Sequence, residues 1–151
     1  RACELPNDCM VAPRTCCGRC GAATPSDAIA VNASYVREHH GYPCEGEMGC
    51  PDCAMQTAPT LRATCQARRC EVLDLASEAN AACASDDDCA LRSSVCCDCG
   101  QAPWIAIRAD RMREVGIELC TEIATCPACA APYPMDLRAR CVESRCVAVE
   151  E

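Results

Sequence analysis

The order of apolar and polar positions predicts the same elements twice along the chain. Short, β-branched runs at 27–32 (DAIAVN) and 104–108 (WIAIR) are typical of strands. The segments that follow them, 33–40 and 109–119, have helical composition. The Pro, Asn, Asp and Ser residues that cluster before the first strand predict a loop there. Each half is therefore expected to run from loop to strand to short helix.

Capping residues set the expected limits of the two helices. Ser34 and Asp110 are candidate N-caps, because short polar side chains accept hydrogen bonds from the unpaired amides of a first helical turn. Gly41 is a candidate end for the first helix, since glycine leaves the helical conformation at low cost.

One β-hairpin is predicted near the end of each half, at 63–72 (ATCQARRCEV) and at 139–149 (ARCVESRCVAV). Two-residue tips at 67–68 and 143–144 would place the two cysteines of each hairpin opposite one another. Neither tip has the Asn-Gly sequence that would identify a turn type, so the turn type stays open.

The spacing of the cysteines indicates an internal duplication. The first ten follow C-x5-C-x6-CC-x2-C, a gap, and C-x5-C-x2-C-x11-C-x4-C; in the second ten, seven of the nine spacings are identical. The segment CPDCA at 50–54 also aligns with CPACA at 126–130. We predict two homologous domains, 1–75 and 80–151, with ten cysteines each and the Cys-free stretch 71–82 at their junction.

The predicted fold class is small, disulfide-rich α+β, with a short antiparallel sheet and one short helix in each domain. The 151 residues include 20 cysteines but no Phe, one Trp and three Tyr, so little apolar core is available. A disulfide contributes about 2–4 kcal/mol, mainly by restricting the unfolded chain. All twenty cysteines are predicted to be disulfide-bonded: Cys3, Cys9, Cys16, Cys17, Cys20, Cys44, Cys50, Cys53, Cys65, Cys70, Cys83, Cys89, Cys96, Cys97, Cys99, Cys120, Cys126, Cys129, Cys141 and Cys146.

Disulfides and charge together narrow the location and the partner. Disulfides persist in oxidising compartments, so the chain is expected to be secreted, periplasmic or on the cell surface. The formal charge of −8 argues against nucleic acid and anionic membranes as partners. No apolar run approaches the roughly 20 residues of a membrane span. The expected partner is an extracellular or periplasmic protein.

The adjacent cysteines at 16–17 and 96–97 have a structural interpretation. In an extended strand, neighbouring side chains point to opposite faces, so each pair would tie one strand to two different loops. Gly21 and Gly100 follow these pairs and would let the chain turn with positive φ.

The C-x-x-C motifs at 50–53 and 126–129 suggest an alternative function, in redox chemistry or metal binding. A low-pKa thiolate in such a motif supports thiol–disulfide exchange, and the spacing also suits zinc. Redox motifs of this kind lie in a βαβ setting that the sequence does not show, and the only histidines are His39 and His40. Structural half-cystines are therefore preferred, with Cys50, Cys53, Cys126 and Cys129 kept as redox or metal candidates. No catalytic residue, cofactor or metal is predicted.

Two further features have both a structural and a functional interpretation. The run DDD at 86–88 carries carboxylates suited to calcium, but no loop with ligands at alternating positions follows, so a turn in which Asp88 bonds its own backbone is preferred. Trp104 aligns with Ala28 of the first half. If Trp104 is exposed, it would be a binding anchor. If it is buried, which is the preferred interpretation, it would be the largest side chain of the core.

The run CASDDDCALRSSVCCDCG at 83–100 resembles the C-x-x-D-x-D-C…CC…C segment of whey-acidic-protein (four-disulfide core) domains, and also the cysteine order of knottins. The first half has NDC where that family has Asp-x-Asp-Cys. The chain as a whole is similar to Cys-rich secreted proteins of high-GC bacteria. The resemblance implies a small secreted binding module and, more specifically, a protease inhibitor. It carries no reactive-site residue over to this chain.

The first testable prediction is that no cysteine is a free thiol. The even count and the duplicated spacing require a fully paired set. Thiol titration of the denatured, unreduced protein should find none, whereas the reduced protein titrates all twenty. Several free thiols, or zinc bound in stoichiometric amount, would contradict the disulfide interpretation.

Overall fold

The chain divides into two compact units, Arg1–Asp74 and Leu75–Glu151. Gly41, the predicted end of the first helix, lies outside the residues that the structure describes. No helix in the described part of the chain is long and apolar enough to cross a membrane. The described residues of the computed structural model are 2–38, 49, 55–56, 58–120 and 132–151.

The first unit contains two antiparallel strand pairs, one parallel pair and a short helix. Its elements are β1 (Cys9–Pro13), β2 (Gly21–Ala22), β3 (Ala28–Asn32), α1 (Ala33–Glu38), β4 (Met55–Gln56), β5 (Leu61–Gln66) and β6 (Arg69–Asp74). Strand β1 pairs antiparallel with β3, and β5 with β6, while β2 runs parallel to β4. The two antiparallel pairs pack against each other. Single 3₁₀ turns at Pro6–Asp8 and Pro25–Asp27 precede β1 and β3.

The second unit repeats this arrangement. Its elements are α2 (Glu78–Ala81), β7 (Cys89–Ser93), β8 (Trp104–Arg108), α3 (Met112–Leu119), β9 (Leu137–Val142) and β10 (Arg145–Glu150). Strand β7 pairs antiparallel with β8, and β9 with β10. Single 3₁₀ turns at Asp86–Asp88 and Ala109–Arg111 precede β7 and α3. The registers also correspond, since Cys65 faces Cys70 in one hairpin and Cys141 faces Cys146 in the other.

The predicted disulfide-rich α+β class is confirmed, as are the strands after the loops and both hairpins. The single sheet expected in each domain is instead two separate strand pairs, and the first unit adds a parallel pair. The loop expected before the first strand is wrong, because β1 and β7 lie there. These two strands are five residues long, and the pairing of each with its partner strand compensates for a weak propensity of its own.

Both predicted N-caps are wrong. The Oδ1 atom of Asn32 accepts a hydrogen bond from the backbone N–H of Ser34 at 2.9 Å, so Asn32 caps α1 and Ser34 lies inside the helix. Asp110 lies in the 3₁₀ turn before α3, where its carboxylate accepts a hydrogen bond from Nε of Arg108 at 2.9 Å. The guanidinium of Arg108 therefore holds the carboxylate that was expected to cap the helix.

The adjacent cysteines do not lie in strands, contrary to the prediction. Residues 16–17 are in a turn after β1, and 96–97 are in a bend after β7. Strand pairing has already ended at Pro13 and Ser93, and Cys96 bonds to Cys120 at the end of α3. The expectation for the glycines is confirmed, since φ is +94° at Gly21 and +93° at Gly100.

The hairpin tips settle the turn type that the sequence left open. Ala67 and Arg68 have φ of 45° and 62°, and Glu143 and Ser144 have φ of 50° and 61°. Positive φ at both central residues defines a type I′ turn, whose twist matches that of the flanking strands. None of the four residues is Gly or Asn, so both tips hold a left-handed backbone that ordinary side chains disfavour.

The apolar core of each unit is small. In the first unit, Ala23, Ala28 and Leu61 are buried, with Val11, Ala58 and Val72 packed against them. In the second unit, one cluster consists of Leu91, Ala106 and Cys146, with Cys83, Cys89, Trp104, Leu137, Ala139 and Ala148 packed against them. The second unit also buries Leu75, Ala81, Ile105, Ile107, Val115 and Leu119. Half-cystines thus take positions that larger apolar residues occupy in a protein with a larger core.

Five disulfides have both cysteines among the described residues, and each lies within one unit. Their pairs are Cys3–Cys65, Cys9–Cys70, Cys83–Cys141, Cys89–Cys146 and Cys96–Cys120. Cys3–Cys65 corresponds to Cys83–Cys141 in the duplicated pattern, and Cys9–Cys70 corresponds to Cys89–Cys146. The pairing is therefore duplicated along with the spacing.

We predict that no disulfide joins 1–75 to 80–151. A specific protease site inserted between Ser77 and Glu78 would open the chain near the exposed start of α2. After cleavage and denaturation without reduction, the two fragments should separate by mass. Fragments that stay covalently joined until a reductant is added would contradict this prediction.

A second prediction concerns the tip of the second hairpin. Replacing Glu143 with Asn and Ser144 with Gly should stabilise the protein by about 1 kcal/mol, because Asn-Gly adopts the type I′ turn with little strain. The measurement is the denaturant midpoint with the disulfides intact. The matched control places Asn and Gly at Glu78 and Ala79, on the exposed side of α2, where the same two residues should destabilise. Stabilisation at both sites, or at neither, would show that the strain at the tip is not the cause.

Candidate binding surface

Trp104 lies at the start of β8, and its indole packs on the apolar core of the second unit. It faces Ser93 across the strand pair and is half-buried. The preferred interpretation, a buried Trp104, is therefore met only in part, since the residue packs against the core and is only half-buried.

The aromatic partner of Trp104 is Tyr133. Their ring centroids lie 5.3 Å apart at an interplanar angle of 68°, an edge-to-face arrangement that adds to simple apolar contact. Tyr133 is 58% exposed and Met135 is 86% exposed. We call Trp104, Tyr133 and Met135 the aromatic surface. Large apolar side chains exposed together in this way mark a candidate binding site.

Local sequence holds this loop in place. Pro132 and Pro134 flank Tyr133, and each proline ring fixes its own φ. The Cδ atom of Pro132 lies 3.8 Å from the point that a Cβ of Gly100 would occupy, so the two loops are neighbours. At the other end of the loop, the carbonyl of Asp136 accepts a hydrogen bond from the N–H of Glu151 at 3.0 Å.

The segment before Trp104 is also well ordered by hydrogen bonds. The Oδ1 atom of Asp98 accepts from the N–H groups of Gly100, Gln101 and Ala102, at 2.8, 3.1 and 3.2 Å. These bonds, led by that from Ala102, lower the pKa of the Asp98 carboxyl. Both sides of the aromatic surface therefore rest on fixed backbone.

The acidic turn at 86–88 has the local role that was preferred for it. The Oδ2 atom of Asp88 accepts from the N–H groups of Ala84 and Ser85, at 2.8 and 2.9 Å. Asp86 accepts from the N–H of Cys141 at 2.8 Å and pairs with Arg140. These backbone hydrogen bonds lower the pKa of both carboxyls. The calcium interpretation gains no support, because both carboxylates are already bound by donors from the protein.

The sulfur atoms come together in two clusters. Those of Cys3, Cys9 and Cys70 lie within 4.8 Å of one another, and those of Cys83, Cys89 and Cys146 do the same. Every one of these sulfurs belongs to a disulfide. Because the thiolate is the form that binds metal, these clusters are not metal sites while the disulfides are intact.

No cysteine among the described residues is a free thiol. Several predicted positions lie outside the described residues: His39, His40, Cys44, Cys50, Cys53, Cys126 and Cys129.

The sequence analysis singled out Trp104 but missed Tyr133 and Met135. The available signal was the pattern P-Y-P-M, in which two large apolar residues alternate with prolines.

Comparison with protein-family models, curated proteins and solved structures found no match to this chain.

Proposed function

We propose that the protein is a non-enzymatic binding module that acts outside the cytoplasm, and that the aromatic surface contacts its protein partner. The observation that carries the proposal is the exposure of Tyr133, whose ring contacts Trp104, together with that of Met135 two residues further along the chain. Trp and Tyr are enriched among the residues that dominate binding energy. The half-buried indole gives the exposed residues a fixed base.

Rigidity supports the same proposal. A loop in which two prolines fix their own φ loses less conformational entropy when a partner binds. Disulfides also constrain the second unit. One of them, Cys96–Cys120, joins cysteines on either side of Trp104 in the sequence. A rigid module of this kind suits recognition better than a reaction that requires conformational change.

The location is proposed from the disulfides. Every cysteine among the described residues is disulfide-bonded, a state that lasts in the extracellular space, the periplasm or on a cell surface. We propose one of these locations, and a partner protein that shares it. The sharpest version is inhibition of a protease, which rests on the resemblance to four-disulfide core domains. Thiol–disulfide exchange or metal handling by the C-x-x-C motifs is the alternative.

The test compares two variants of the intact protein as immobilised bait in the medium or periplasm of its own producing cells. Replacing Tyr133 and Met135 with Ala should weaken binding of the captured protein by about tenfold or more, as expected for hot-spot residues. Val142→Ala is the matched control, because Val142 is also exposed, at 48%, in the same unit. Its affinity should match that of the unaltered chain.

Two further measurements distinguish the binding proposal, its protease-inhibitor form and the redox alternative. Inhibition of a serine protease from a standard panel, lost in the Tyr133 and Met135 variant, would support the inhibitor version. Robust reduction of insulin disulfides, abolished by Cys50→Ser or Cys126→Ser, would overturn the binding proposal in favour of redox. Equal loss of affinity in the Val142→Ala control would show that the aromatic surface is not the contact site.

A further inference from the structure

In the first unit, two disulfides lie side by side. The sulfur atoms of Cys3, Cys9 and Cys70 lie within 4.8 Å of one another. Cys9 is bonded to Cys70, and Cys3 is bonded to Cys65, so the two disulfides bring four sulfurs together. We call these four residues the first sulfur group. Four cysteines in one place are also the ligand set of a structural zinc site.

The second unit contains an equivalent group. The sulfur atoms of Cys83, Cys89 and Cys146 lie within 4.8 Å of one another, and Cys141 is bonded to Cys83. We call these four residues the second sulfur group. The same arrangement therefore occurs in both copies of the fold, at equivalent positions of the duplicated pattern.

The separations between the sulfurs are close to those that zinc requires. A zinc ion binds each thiolate at about 2.3 Å, so a tetrahedral site keeps its sulfurs about 3.8 Å apart. The sulfur of Cys3 lies within 4.8 Å of those of Cys9 and Cys70. It therefore needs to approach them by about 1 Å at most, a movement that side-chain rotation provides. Bonded sulfurs must instead move apart, which requires that both disulfides are first reduced.

The spacing along the chain also suits zinc. Four residues separate Cys65 from Cys70, and four separate Cys141 from Cys146. Neighbouring ligands of structural zinc sites are typically separated by about two to four residues. The two cysteines of each pair face each other across their hairpin, so one rigid element presents two ligands together.

Hydrogen bonds hold the segment that supplies the other two ligands of the first group. The Oδ2 atom of Asp8 accepts from the N–H groups of Glu4 and Leu5, at 2.8 and 2.9 Å. These bonds fix the turn between Cys3 and Cys9. The corresponding aspartate of the second unit makes the same two bonds. The turn is thus held by contacts that do not involve sulfur.

Backbone contacts also join this segment to the hairpin. The N–H of Cys3 donates to the carbonyl of Arg68 at 3.2 Å, and Ala2 forms a β-bridge with Arg69. Equivalent contacts occur in the second unit, where the N–H of Cys83 donates to the tip carbonyl of the hairpin at 3.1 Å. Reduction of a disulfide breaks none of these bonds, so they favour the same arrangement of ligands afterwards.

Positive charge lies next to both sulfur groups in the sequence. Arg69 precedes Cys70, and Arg145 precedes Cys146. A nearby guanidinium favours the thiolate over the thiol, and the thiolate is the form that binds metal. Because four thiolates give a bound zinc ion a net negative charge, these arginines also offset the charge of the occupied site.

We infer that each sulfur group binds one zinc ion when its two disulfides are reduced. A dithiol reductant gives two electrons and two protons to each disulfide, so two dithiols are oxidised to disulfides and the group gains four thiols. Zinc then binds the four sulfurs as thiolates, and four protons are released. The metal links the start of the unit to its hairpin, as the disulfides do in the oxidised protein. This site is separate from the aromatic surface and from the C-x-x-C motifs.

The experiment uses the full chain, isotope-labelled at the Cβ atoms of its cysteines. The protein is reduced with a dithiol, freed of the reductant without oxygen, and titrated with zinc against a chelator of known affinity. The NMR signals of Cys3, Cys9, Cys65 and Cys70 should move together and saturate at one zinc ion for the group. In the unreduced protein these signals should not respond, because disulfide sulfurs are not thiolates.

Two substitutions at one position separate a metal ligand from a half-cystine. Cys70→Ser removes a ligand and should weaken zinc binding at the first sulfur group by at least about a hundredfold, because loss of an outer-shell partner alone costs about 10- to 100-fold. Cys70→His removes the same disulfide but supplies another zinc ligand, so it should keep most of the affinity. The second sulfur group is the internal control and should bind zinc equally in both variants.

Three outcomes would overturn the inference. The first is that the four signals of a group do not respond to zinc, or respond without a common saturation point. The second is that zinc binds only the C-x-x-C motifs at 50–53 and 126–129. The third is an equal loss of affinity in Cys70→His and Cys70→Ser, which would show that this position serves the disulfide alone. The test of the aromatic surface uses unreduced protein, so either proposal can fail without the other.

Discussion

Two neighbouring disulfides in each unit tie the segment that leads into the first strand, and the first residue of that strand, to the hairpin that ends the unit, and the rest of the fold depends on this link. In the first unit they are Cys3–Cys65 and Cys9–Cys70, which span 62 and 61 residues. A loop of that length removes about 4 kcal/mol of unfolded-state entropy when it is closed. The second disulfide closes a loop that the first has already shortened, so their contributions are not additive. Even so, the link adds stability to that of the buried Ala, Leu, Ile and Val side chains.

The same link fixes the geometry of the hairpin tip. Cys65 and Cys70 face each other across β5 and β6, and each bonds a different cysteine upstream. A register shift of one residue would turn a cysteine to the wrong face, so the tip must hold two residues. A two-residue tip takes a type I′ or type II′ turn, and Ala67 and Arg68 both have the positive φ of type I′.

The hairpins and the duplication could be predicted because periodicity and cysteine spacing are local signals. Strands β1 and β7 could not, since Cys-Met-Val-Ala-Pro and Cys-Ala-Leu-Arg-Ser owe their extended form to a partner strand distant in sequence. The cap at Asn32 was missed because Asn32 and Ser34 both suit that role, and backbone geometry chose between them. Disulfide pairing stayed open because ten cysteines in a half allow many pairings. Tyr133 became a candidate only when its ring was found against Trp104.

A frame held by disulfides lets the same position take side chains of very different size. Ala28 and Trp104 occupy equivalent places in β3 and β8; Ala28 is 1% exposed, while the indole extends outward to meet Tyr133. In a fold that depended on close packing of a large core, such a change in volume would cost several kcal/mol. Here the bridges add to the stability that the core provides, so the faces outside them are freer to differ. The aromatic surface of the second unit is built at such a face.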